Sequence, residues 1–333
     1  MVACTAGTPA PVGSRLRCLS GEARAGRHGF RDKRAAPSRK VGQVSDLRRY
    51  RLMPVAFDTR HHLLESTNPD WEAEIREQHD RNREAIVARL RYIHGEANLE
   101  KVIQNVRDLG SDPFSTIGWH LHLWAEVRHA FLSGAYFPAA VGAGALAERI
   151  LNHLLIDLAG DSASDEDQTV IQRVKAPTYG QALRILKRWQ VLEPEAVEQF
   201  DLLRNKRNNL IHFSPEFYSD PRGQSLDAVT ALRDALDSQF GVLVQRRLIP
   251  GTPGAMYARK EVESEPFFKR YMAPVALHVS PRHRIDHDPA TNYWIVSDEE
   301  PVETDADTDE EFVRHLYSLA PEWQSLIIAA ETV

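Results

Sequence analysis

The stretch AAVGAGALAERILNHLLIDLAG, residues 139 to 160, constrains the fold more than any other part of the chain. Ala140, Gly144, Ala147, Leu151, Leu154, Leu155 and Leu158 recur at steps of three and four, which places them along one side of a helix of about five turns. The small residues at its start imply close approach by a neighbouring helix, because no long side chain is present to hold one off. Flanking segments show the same period. Ile117, Leu121, Trp124, Val127 and Phe131 form one series before the Ser133-Gly134 break. After an acidic loop at 161–168 come Tyr179 to Leu192, a Pro194-initiated segment through His212, and Ser225 to about Val244. Residues 117–248 therefore read as an antiparallel bundle of four to five helices with no strand signal between them.

Upstream, residues 53–116 read as a helical extension. Asn68-Pro69-Asp70 opens a strongly charged surface helix from Trp71 to Tyr92, a second helix runs from Glu100 to Leu109 and stops at Gly110, and Ser111-Asp112-Pro113 starts the next. Beyond Pro250-Gly251-Thr252-Pro253-Gly254 the segments PFFKRYMAPVALHV and NYWIV carry β-branched and aromatic residues bounded by Pro, Asp and Asn. Residues 255–333 accordingly read as a small α+β appendage ending in a helix at Glu310–Leu319. The fold class is mainly α, a helical bundle with that C-terminal appendage.

Charge is divided unevenly along the 333 residues: residues 1–52 carry twelve Lys/Arg against three Asp/Glu, while the remainder is acidic. This Ala-, Gly-, Arg-, Ser- and Pro-rich leader lacks a hydrophobic period and reads as disordered. Met53 is the favoured true start, with a transit peptide or an RNA-binding arm as alternatives. Both cysteines, Cys4 and Cys18, fall in the leader. The body then has no thiol for a disulfide, a zinc site or nucleophilic catalysis, which fits a reducing cytoplasm. No run of eighteen apolar residues and no secretory h-region occurs, so no membrane partner is expected.

The chemistry-bearing residues cluster in PEAVEQFDLLRNKRNNLIHF, residues 194–213. On a helical projection Val197, Phe200, Leu203, Leu210 and Ile211 share a stripe, and Arg207 falls about 20° from Phe200 in its middle. A guanidinium there needs an anion, because burying it unpaired is costly. Arg204, Asn208 and His212, at i, i+4 and i+8, line one edge of that stripe. Two cations, an amide and an imidazole that titrates near neutrality suit a phosphate. A helix end with Arg207 paired to a carboxylate such as Glu148 satisfies the same pattern.

Arg207-Asn208-Asn209-Leu210-Ile211-His212 has the form R-N-x-x-x-H, preceded by Leu202-Leu203-Arg204-Asn205, and an earlier long helix carries Ala147-Glu148 before Ile150, Leu151, Leu154 and Leu155. In these features residues 117–245 resemble HEPN domains (higher eukaryotes and prokaryotes nucleotide-binding). The resemblance implies a helical bundle that dimerises with its motif helices face to face, and in many members a metal-independent endoribonuclease of toxin, defence or stress systems, with RNA or a nucleotide as ligand and an antitoxin or regulatory partner. It implies His212 as general acid/base, Arg207 as the group stabilising the phosphate transition state, and Asn208 as its polar support. Glu148 would orient Arg207 or Arg204. Noncatalytic members that bind nucleotides or proteins give the alternative reading.

Other signals are weaker. Gly142-Ala143-Gly144-Ala145-Leu146-Ala147 fits G-x-G-x-x-A but follows no buried strand, so helix-packing glycines account for it better. His120, His122 and His129 on one helix, and His283, Asp286, His287 and Asp288 in HRIDHD, lack H-E-x-x-H or facial-triad spacing. Neither a metal nor any cofactor is expected. No P-loop, G-x-S-x-G elbow or kinase signature is present.

Overall fold

The computed structural model describes Ser45–Leu319 apart from residues 55, 116, 117, 119, 163, 165, 166, 169, 170, 172–176, 212–214, 253–255, 292, 299–302, 305 and 306. Along the chain lie β1 (Ser45–Asp46), β2 (Arg49–Arg51), β3 (Ala56–Asp58), α1 (Ala73–His94), α2 (Leu99–Leu109), β4 (Asp112–Ser115), α3 (Leu121–Leu132) and α4 (Tyr136–Ser162). Then follow α5 (Tyr179–Arg188), α6 (Pro194–Ile211), α7 (Pro215–Ser219), α8 (Pro221–Phe240), β5 (Leu277–Val279), β6 (Arg284–Asp288), β7 (Tyr293–Ser297), β8 (Glu303–Thr304) and α9 (Asp309–Leu319). The protein is mainly helical with a small strand part, as expected. It divides into two units, each assembled from separate pieces of the chain.

The helical unit holds Leu52–Pro250 and Glu261–Ala276. At its centre α4 packs on α3, α5, α6 and α8, and Ala140, Ala143, Ala147, Ile150, Leu151, Leu154, Leu155 and Leu158 are all buried. By length and composition α4 could span a membrane, but 56% of its most apolar window is buried inside the bundle. Local chemistry sets the helix ends. The Thr178 N–H donates to Gln181 Oε1 at 2.9 Å, one half of a capping box, and Asp220 accepts from the Gly223 N–H at 2.9 Å with Pro221 in the first turn of α8. Buried Asn105 of α2 donates to the Phe131 and Leu132 carbonyls at 3.1 and 3.2 Å, supplying donors at the end of α3 where intrahelical ones run out. Helix α1 buries none of its residues, in line with its charged sequence.

One expected helix start is a strand. Asp112–Ser115 pairs antiparallel with Ala56–Asp58, because the Asp112 carboxylate, which would have capped a helix, accepts from the Trp124 indole N–H at 3.0 Å and pairs with Arg128. Pro113 has no N–H to place in a ladder and sits in a two-stranded sheet, while the next residue turns to the end of α8: the Phe114 N–H donates to Asp237 Oδ1 at 3.3 Å and the Phe114 carbonyl accepts from the Val242 N–H at 2.8 Å. The expected boundary at residue 255 also moves. Glu261–Ala276 belongs to the helical unit, where Glu265 binds Arg246 at 2.7 Å, Phe267 meets Phe240 with ring centroids 5.6 Å apart, and Tyr271 donates to Asp157 at 3.0 Å.

The second unit comprises residues 45–51, 251–260 and 277–319 of the described chain. Its ladders are all antiparallel: β1 with β8, β2 with β5, and the β6–β7 hairpin, while α9 buries Phe312 against Tyr257 at 4.9 Å. Of the segments expected to form strands, Leu277–Val279 and Tyr293–Ser297 do so, whereas residues 268–275 are helical, and the expected last helix is present. The reading of residues 1–52 as one disordered leader fails for its last part: Arg49–Arg51 pairs with Leu277–Val279, Leu47 is buried, and Arg49, fully buried, binds Asp309 at 2.9 Å and Asp307 at 2.7 Å. A basic residue read as leader charge is thus the counter-ion of two acids near the other end of the chain. Residues 1–44, with Cys4 and Cys18, lie outside the described residues.

Candidate functional site

Residues 207–211, the described part of the R-N-x-x-x-H segment, close α6, and the position of Arg207 follows from how closely α6 lies on α4. A Cβ added to Gly144 would stand 2.9 Å from the Cβ of Arg207 and 3.0 Å from its Cγ, so glycine is the residue that admits the arginine stem against the α4 backbone. Gly142 and Gly144 therefore serve helix packing inside α4, and the dinucleotide reading is ruled out by their place in a helix interior.

One turn along α4 from Gly144, Glu148 Oε2 accepts from Arg207 Nη2 at 2.7 Å. The pair lies at the rim of the bundle, with side-chain exposures of 27% and 26%. Arg204, one turn earlier on α6, pairs with Asp201 at 3.1 Å. Beneath them Tyr179 is buried and its hydroxyl donates to the Phe200 carbonyl at 2.8 Å. Burial, followed by the Asp201 charge, pushes this phenol well above its ordinary range, so it is a neutral donor. Lys206 turns away to Gln224 and Asp227 of α8 at 3.1 and 2.7 Å.

Of the residues singled out in the sequence, Arg204, Arg207 and Glu148 come together on the α4–α6 rim, and Asn208 is exposed on the last turns of α6. His212 lies outside the described residues, as do Phe213 and Ser214. Asp201 and Tyr179 were missed. Asp201 was legible as an acid three residues before Arg204; Tyr179 was not, since only the packing of α5 brings it under the arginines. The assembled group holds two guanidinium forks against two carboxylates, and a guanidinium binds a phosphate with the same fork geometry that it offers a carboxylate.

The HRIDHD segment forms β6 and its approach. His283 Nδ1 lies 2.7 Å from the Ser280 carbonyl and Nε2 lies 3.0 Å from Arg51, so this histidine is engaged in the fold of the strand unit. Comparison of the chain with family models, with curated proteins and with solved structures gave no match.

Proposed function

We propose that the helical unit is an RNA-acting module of HEPN type, a metal-independent endoribonuclease of a bacterial defence, toxin or stress system, with its site at the end of α6. The observation that carries this reading is the Arg207–Glu148 pair. It fixes a guanidinium at the rim of the bundle, five residues before His212, with the adjacent Asn208 exposed. In the proposed reaction His212 takes the proton of an RNA 2′-hydroxyl, whose oxygen bonds to phosphorus as the 5′-oxygen leaves and is protonated. Arg207 meets the negative charge that grows on the phosphate oxygens, and Asn208 supplies a further hydrogen bond. The products are a 2′,3′-cyclic phosphate and a 5′-hydroxyl. Two copies would complete the site, a reading supported by exposed aromatic surface: Phe137 is 52% and Tyr218 71% exposed, and the rings of Phe137 and Phe217 meet edge to face at 5.7 Å.

A second reading is favoured by one observation: both arginines already hold carboxylates, as a noncatalytic nucleotide- or protein-binding module permits. The full chain incubated with structured and unstructured RNA in EDTA separates the two. The nuclease reading expects cyclic-phosphate ends and a loss of at least about 100-fold in both His212→Ala and Arg207→Lys. No cleavage, together with a melting temperature raised by nucleotide, establishes the binding module instead.

A further inference from the structure

Two unusual stretches of backbone converge on α4 away from Arg207. His120, just before α3, has φ 69°, a left-handed conformation in which a non-glycine residue is held at a cost of about 1 kcal/mol or more. Phe268–Met272 winds as a π-helix, a rare form that recurs at functional sites. The first brings the His120 ring to His153, and the second brings Arg270 and Tyr271 to Asp157, one turn beyond His153 on α4.

We propose that His120 and His153 are the protein ligands of a borderline divalent cation of the zinc class, with Asp157 as the carboxylate that orients His153. His120 Nε2 and His153 Nδ1 are 3.2 Å apart. Two imidazole nitrogens at about 2.0–2.1 Å from one tetrahedral zinc ion stand about 3.3–3.4 Å from each other, so small ring movements admit the ion between them. The rings lie at 80° to one another, so they do not stack, and the two nitrogens converge.

His153 has its other nitrogen, Nε2, 3.4 Å from Asp157 Oδ2. That is the carboxylate–histidine–metal order in which an outer carboxylate sets the tautomer and the ring orientation. Asp157 is itself held by the Tyr271 hydroxyl at 3.0 Å and by Arg270 at 3.4 Å. A cavity of about 280 Å³, lined among others by Gly118, His153, Asp157, Arg270 and Tyr271 but not by His120, reaches the pair from the His153 side, from which water or a small ligand would complete the coordination. Imidazole ligands without a carboxylate cage select zinc, nickel or copper over calcium or magnesium. Asp157 lies nine residues after Glu148, about half a turn around α4, so this site faces away from Arg207 and does not depend on the nuclease reading.

The test uses the full chain, stripped with EDTA, dialysed and titrated with Co²⁺ and then Zn²⁺. Expected are one ion per chain, a visible Co²⁺ ligand-field band displaced by Zn²⁺, and a higher melting temperature. Binding disappears in His153→Gln and in His120→Asn, asparagine being chosen because it tolerates the left-handed backbone. Affinity falls about 10–100-fold in Asp157→Asn and is unchanged in His122→Ala and in His62→Ala, the latter chosen because His61, His62 and Glu65 bring their ligand atoms within 4.8 Å of one another and are the competing cluster among the described residues. Absence of binding in the wild type, or an affinity that follows His122 or His62 and ignores His153→Gln, overturns the proposal. Circular dichroism of each variant checks folding, and should His120→Asn fail to fold, His153→Gln decides the matter alone.

Discussion

Glu193 shows at the scale of one residue what the helical unit demands of its polar groups. Its side chain is 3% exposed and Arg247, which binds it at 2.5 Å, is 1% exposed; Arg246 adds two hydrogen bonds at 2.6 and 2.9 Å. Arg247 also donates to the Gln239 carbonyl at 2.6 Å and lies 4.8 Å from the Phe267 ring centre. Such a pair is weak evidence of net stabilisation against an apolar replacement, yet breaking it strands a buried cation. Glu193→Ala is therefore expected to cost about 3–5 kcal/mol in urea unfolding. Burial works to raise the Glu193 carboxyl, but the Arg246 hydrogen bonds and the charges of Arg247 and Arg246 outweigh it and hold the group below the ordinary glutamate range. Because the folded value is the depressed one, this stabilisation is present at neutral pH and disappears as pH falls below that ordinary range. Melting temperature against pH should thus drop less steeply on the acid side in Glu193→Gln than in the wild type, and equal slopes would refute the assignment.

At the scale of elements, α4 supplies two glycines whose replacement should act in opposite directions. In an exposed helix interior Gly→Ala gains about 1 kcal/mol, and nothing stands within 4 Å of a Cβ on Gly160. At Gly144 the new methyl meets the Cβ and Cγ of Arg207, atoms fixed close to the α6 backbone, so the helices must part. Gly144→Ala is expected to destabilise by about 1–3 kcal/mol while Gly160→Ala stabilises, a contrast that chemical denaturation of the two variants measures directly. The close α4–α6 contact was legible because small residues at helical period leave one side of a helix bare enough for another backbone to approach. The Arg207–Glu148 pair was legible as one of two partners for a cation in an apolar stripe. By contrast, β4 resembled a helix start since Asp-Pro is a capping signal, and only the tertiary partners Trp124 and Arg128 divert the Asp112 carboxylate. The His120–His153 approach was hidden for the same reason. Residues 33 positions apart have no shared period, and a π-helix carries no pattern that distinguishes FKRYM from an ordinary turn of helix.

At the scale of the molecule, both units are discontinuous in sequence, and this is where composition misled most. Two- and three-residue strands are too short to show alternation, so Ser45–Arg51 read as the tail of a basic leader although its partners lie more than 200 residues away. The consequence is testable on the start of the folded chain. A protein begun at Met53 lacks β1 and β2, removes the buried Leu47 and Leu52, strips the ladder from one edge of β5 and leaves Asp307 and Asp309 without Arg49. Those two acids then face each other's charge with only Lys260, 3.0 Å from Asp307, to offset it among the described residues. Hydrogen exchange should show lost protection at Leu277–Val279 and in α9 for the Met53-start chain, with α4 and α8 protected as in the longer one. Arg49→Met in the full chain separates charge from strand: it keeps the β2–β5 ladder and so should retain protection at Leu277–Val279 while loosening α9, whose first turn carries Asp309. Equal protection in the Met53-start and full chains would show that Ser45–Leu52 is dispensable, and the leader boundary expected from composition would stand.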